Sequence, residues 1–83
     1  MPVATWSAAP SEASSLLGAT TEAMQEWHVR SAFLRLWVQT ACERARDTDH
    51  LRIILDYDPE AGLLSFDAFK GDQRVYGADD WIG

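Results

Sequence analysis

Residues 51–77, LRIILDYDPEAGLLSFDAFKGDQRVYG, decide the fold. Leu51, Ile53, Leu55 and Tyr57 alternate with Arg52, Ile54 and Asp56, the period-two pattern of a half-buried strand. Asp58-Pro59-Glu60-Ala61-Gly62 is turn chemistry: Pro presets its φ, and Gly accepts a positive one. Leu64, Phe66 and Ala68 then alternate with Ser65 and Asp67, and Lys70-Gly71-Asp72-Gln73 suits a two-residue hairpin with Gly first. The register tests itself. A four-residue first loop pairs Tyr57 with Leu64, Leu55 with Phe66 and Ile53 with Ala68. A two-residue second loop continues to Val75 opposite Ala68 and Gly77 opposite Phe66. All of these point to one face, and a slip of one residue would scatter them. Arg52, Ile54, Asp56, Ser65, Asp67, Phe69, Arg74 and Tyr76 are expected on the other.

Upstream, Thr20 or Thr21 can cap a long helix running to about residue 47. At 100° per residue, Ala23, Met24, Trp27, Ser31, Leu34, Val38, Ala41, Cys42 and Ala45 share one face. Val29, Phe33, Leu36 and Trp37 fall on a flank, more apolar surface than resting on a sheet requires. Asp47-Thr48-Asp49 is expected to be the loop that follows. Residues 1–19, rich in Ala, Ser, Thr and Pro, are expected to be mobile or to form a short helix ended by Gly18. Residues 78–83 are expected to be a tail whose Trp81 docks on the core. The expected fold is therefore α+β: one long amphipathic helix (20–47) on a three-stranded antiparallel β-meander (51–77). At 83 residues this is a single small domain, whose four Trp, three Phe and two Tyr must supply much of the buried area.

Charge narrows the partners. Seven basic residues stand against thirteen acidic ones, a net charge of −6. The acids are uneven: residues 53–83 carry seven of them against Lys70 and Arg74. Such a field repels nucleic acid and anionic lipid and favours a basic protein partner, so direct nucleic-acid binding is not expected. No apolar run is long enough to span a bilayer, and the N-terminus lacks the pattern of a signal peptide. With a single Cys as well, a cytoplasmic protein is expected. Arg outnumbers Lys six to one and Ala is abundant, a compositional hint of a GC-rich bacterial or phage genome.

Catalytic and metal signatures are sparse. The chain contains no Gly-rich phosphate loop, H-E-x-x-H, C-x-x-C or G-x-S-x-G. His28 and His50 lack partners at ligand spacing and suit surface or capping roles. Cys42 falls on the core face as a small hydrophobe. Asp56, Asp58, Glu60 and Asp67 match positions 1, 3, 5 and 12 of a calcium loop, but Gly62 is misplaced, Pro59 stiffens the middle, and strands flank it. Neither metal, cofactor nor enzymatic activity is expected.

Function then rests on surfaces. The first candidate is the acid-rich sheet region with its aromatics: Asp56, Asp58, Glu60, Asp67, Phe69, Asp72, Tyr76, Asp79 and Asp80, facing a basic protein that normally holds nucleic acid. The expected mechanism is stoichiometric masking, with carboxylates steering encounter and aromatics supplying contact. Arg52, Phe69 and Arg74 side by side would be a cation–π row, or simply a cross-strand stabilising row. In size, charge and lack of catalytic signature the chain is similar to small inhibitors such as anti-CRISPR and immunity proteins, although no motif carries that analogy. The alternative is a homodimeric accessory or assembly protein joined through Val29, Phe33, Leu36 and Trp37.

Overall fold

The computed structural model describes residues 3–8, 10–46 and 51–82. Its elements are β1 (Ala4–Ser7), α1 (Ala13–Glu26), α2 (Leu34–Ala45), β2 (Leu51–Asp58), β3 (Leu63–Lys70) and β4 (Gln73–Trp81). The strands form one antiparallel sheet in the order β1-β2-β3-β4, with both helices between β1 and β2 in the chain. The class is α+β as expected, but with four strands instead of three and two helices instead of one.

The β2–β3 hairpin has the expected register, with Tyr57 opposite Leu64, Leu55 opposite Phe66 and Ile53 opposite Ala68. Asp58 builds its turn. One carboxylate oxygen accepts the Glu60 and Ala61 backbone N–H groups at 3.0 and 3.2 Å. Gly62, at φ 67°, then adopts the left-handed conformation the turn needs.

The β3–β4 register corrects the sequence reading. Lys70 pairs with Gln73 and Phe69 with Arg74, but a β-bulge follows, so Ala68 faces Tyr76 and Phe66 faces Ala78. The extra residue flips everything beyond it. Tyr76 therefore lies on the helix side, 6.2 Å from the Phe66 ring and beneath the Arg44 guanidinium. The strand also continues through residues 78–81, so the expected tail is sheet.

The N-terminal segment is likewise a strand. Trp6 pairs with Leu55 and packs partly buried against the core, while Thr5 and Ser7 point outward. Gly18 does not end a helix, and Thr20 and Thr21 do not begin one; all three lie inside α1. The two hydroxyls donate back to the carbonyls of Leu16 and Leu17, at 2.8 and 2.7 Å, which satisfies even the fully buried Thr20.

The long helix is broken at residues 27–33. Val29 N–H reaches Met24 O and His28 N–H reaches Gln25 O, both at 3.0 Å, with His28 in the left-handed conformation at φ 58°. This is a Schellman ending with His where Gly is usual. An unbroken helix over 20–45 would be about 39 Å long, whereas an eight-residue strand spans about 27 Å. Breaking it brings Leu16, Thr20, Ala23 and Met24 on α1 and Leu34, Val38, Ala41 and Ala45 on α2 onto one sheet. Phe66 is at the centre, 5.5 Å from the Trp37 ring. Of the apolar flank, Trp37 is thus internal and Val29 partly so, while Phe33 and Leu36 stay exposed. The expected Asp47-Thr48-Asp49 loop and His50 lie outside the described residues. Among those described, no helix is long and apolar enough to cross a membrane.

Candidate binding face on the outer sheet

The sheet face turned away from the helices is organised in rows set by register. Arg52, Phe69 and Arg74 form the first, at the hairpin end. Ser7, Ile54, Asp67 and Gly77 form the second, Thr5, Asp56, Ser65 and Asp79 the third, and Asp58, Leu63 and Trp81 the fourth.

In the first two rows both arginines have partners within the face. The Arg52 guanidinium lies 5.0 Å from the centre of the Phe69 ring. Arg74 Nε donates to Asp67 Oδ1 at 2.8 Å, and its guanidinium lies where a side chain at position 77 would otherwise project. Only Gly leaves that space. This end is a cation–aromatic row with one neutralising carboxylate, not an acid-rimmed aromatic centre.

The opposite end has a different character. Trp81 is 73% exposed, the most exposed large hydrophobic side chain among the described residues. Its strand neighbour Leu63 is half-buried on the same face. Asp79 lies two residues from Trp81 on the same strand and face, Asp58 lies in the same row beyond Leu63, Asp56 is one row further in on β2, and Glu60 belongs to the β2–β3 turn at this end. Thr5 Oγ1 donates to Asp56 Oδ1 at 2.7 Å, holding that carboxylate across the β1 edge. Asp79 is exposed. The outer face therefore differs at its two ends, with Arg52 and Arg74 at one and Asp56, Asp58, Asp79 and the open Trp81 indole at the other.

The expected site residues divide accordingly. Asp56, Asp58, Glu60 and Asp79 lie at the Trp81 end of the sheet, with Asp79 on Trp81's own strand and the others on β2 and its turn. Phe69 and Asp67 belong to the arginine end, and Asp72 sits at the hairpin tip. Tyr76 and Asp80 are on the helix side, where Asp80 Oδ2 accepts the Ser31 hydroxyl at 2.9 Å. Trp81 is the residue the sequence reading misplaced. Its signal was the alternation of Val75 to Trp81 carried past a bulge, obscured because Gly, Ala and Asp are weak strand formers.

The helical flank is also changed. Trp37 is only 4% exposed and belongs to the core, Val29 is partly buried, and Phe33 and Leu36 remain open at 48% and 56%. A cleft of about 810 Å³ separates the end of α1 from the start of α2. Its lining includes Met24, Val29, His28, Arg30 and Arg35 and no carboxylate. No group of three or more His, Cys, Asp or Glu among the described residues is arranged to hold a metal ion. Cys42 is buried, and that burial, with the Glu43 carboxylate second, raises its thiol pKa, the opposite of what a nucleophile needs. No family model matches the chain, and neither the curated proteins nor the solved structures provide a match.

Proposed function

We propose that this chain is a non-enzymatic binding module that docks the Trp81 end of its outer sheet face onto a basic surface of a partner protein and masks it. The observation carrying this reading is an indole left 73% exposed at the end of a strand, at the same end of the sheet as Asp56, Asp58, Glu60 and Asp79. An exposed Trp is the side chain most enriched among interface anchors, and truncating such an anchor typically costs about 2 kcal/mol or more of binding. The carboxylates exclude anionic partners and speed encounter with cationic ones. Masking of this kind suits a stoichiometric inhibitor of a nucleic-acid-handling protein. A single buried thiol suits the reducing cytoplasm.

The test is affinity capture from bacterial lysate with the wild-type chain and with Trp81→Ala, eluted by rising salt and identified by mass spectrometry. A basic protein held by the wild type, released by salt and lost with Trp81→Ala is the expected result. Identical capture by both chains would overturn the reading. The exposed Phe33 and Leu36 favour a second reading, self-association through α2. Sedimentation at tens of micromolar decides it: a monomer removes it, as does a dimer that survives Leu36→Asp.

A further inference from the structure

β4 is an edge strand. Eight of its nine residues pair with β3 on one side, Val75 being the bulge, and no described strand pairs with the other. Beyond the bulge, the stretch from Tyr76 to Trp81 is regular. Ile82 N–H donates to Gly62 O at 2.7 Å across the β3 side. Antiparallel backbone groups alternate in direction, so Tyr76, Ala78 and Asp80 point toward β3. Gly77, Asp79 and Trp81 consequently offer their N–H and C=O groups to the open side. Such a row is a template for another strand.

The surfaces above and below that edge differ. On the outer face stand Asp79 and Trp81. On the helix side, Arg44 of α2 covers Tyr76 of β4. Phe33 is eleven residues before Arg44, on the same flank of the helical wheel. Arg35 lies on the other flank, facing α1 across the cleft. The exposed Phe33 therefore sits on the β4 side of α2, whereas Leu36, opposite the buried Leu34, Val38, Ala41 and Ala45, faces away from the sheet.

Resting on the proposed docking to a basic partner, we infer that the partner contributes an extended segment that adds as a fifth strand antiparallel to β4. The segment alternates in chemistry: Lys or Arg on the face shared with Asp79 and Trp81, apolar side chains on the face beneath Phe33. Charge selects this occupant over a second copy, because two copies bring net −6 against net −6 and align acid-bearing edges.

The probe is an octapeptide of alternating Lys and Val, with alternating Glu and Val as control, titrated into the full chain and followed by amide exchange and NMR. Protection of the Gly77, Asp79 and Trp81 amides by the Lys peptide alone is expected. Asp79→Pro removes one outward N–H and no β3 bond, whereas Asp79→Asn removes only the charge. Binding about tenfold weaker for the Pro variant than for the Asn variant supports strand addition. Equal binding by the two, without amide protection but lost in Trp81→Ala, overturns strand addition and leaves face docking standing. No binding of the Lys peptide at all also overturns strand addition, while the capture experiment above judges the face separately. A concentration-dependent dimer abolished by Asp79→Pro would replace the partner segment with a second β4.

Discussion

Gly77 and Arg74 are one device. The Arg74 guanidinium occupies the space a Cβ at position 77 would need, and from there reaches Asp67. Gly within a strand ordinarily costs about 0.5–1 kcal/mol relative to Ala, and the ion pair is exposed enough to return only a fraction of that. Gly77→Ala should therefore gain less in the wild type than propensity alone would give, because part of the gain is lost with the displaced arginine. In an Arg74→Ala background the same change should stabilise by about 0.5–1 kcal/mol. Urea denaturation of the four chains measures the coupling, and strict additivity would refute the arrangement. Cys42 makes a second prediction. Its raised pKa, from an ordinary 9.0, means the folded chain holds the thiol proton more tightly than the unfolded chain. Stability from this site is complete below the unfolded pKa and declines as pH rises through the folded one. Between about pH 7 and about pH 10 the wild type should lose more stability than Cys42→Ala, a difference that isolates the thiol from other groups titrating there. Equal losses would show that burial does not shift it.

At the scale of elements, what was legible depended on whether the signal was periodic or conformational. The β2–β3 hairpin could be read because its alternation and its turn agree, so that only one register buries Ile53, Leu55, Leu64 and Phe66 together. The helix break could not, since neither Gly nor Pro marks it and His28 takes the left-handed position. A helical wheel drawn through residues 20–46 still groups the right buried residues, because both helices rest on the same sheet. It misassigned Trp37, whose direction is set by α2 alone. The bulge was equally silent: nothing in Gln73-Arg74-Val75-Tyr76 announces an extra residue, and one such residue exchanged Tyr76 for Trp81 in the candidate site. The His28 position supplies the element-scale prediction. A non-Gly residue in the left-handed region costs on the order of 1 kcal/mol, so His28→Gly should stabilise the fold by up to about that amount while Val29→Met24 and His28→Gln25 bonds persist. Loss of stability in thermal unfolding would mean the imidazole contributes more than its backbone strain costs.

For the molecule as a whole, the separation of arginines from carboxylates along the outer face matters more than the total of −6. It gives the surface a direction, so that a cationic partner is drawn to the Trp81 end and turned away from Arg52 and Arg74 at the other. Steering and anchoring then act on different rate constants. Glu60→Lys with Asp79→Lys should slow association by about tenfold at low ionic strength and leave dissociation nearly unchanged. Asp58 is unsuitable for that test, since its carboxylate also holds the turn through the Glu60 and Ala61 amides. Trp81→Ala should do the reverse, hastening dissociation by about thirtyfold or more with little effect on encounter, as expected of a lost anchor. Raising ionic strength should erase the difference between the wild type and the double charge reversal, because exposed charges are screened beyond about 8 Å at physiological salt. Surface plasmon resonance against the captured partner separates the two constants directly. If the charge reversals acted only on dissociation, the carboxylates would be contact groups and not a steering field, and the polarity of the face would have another origin.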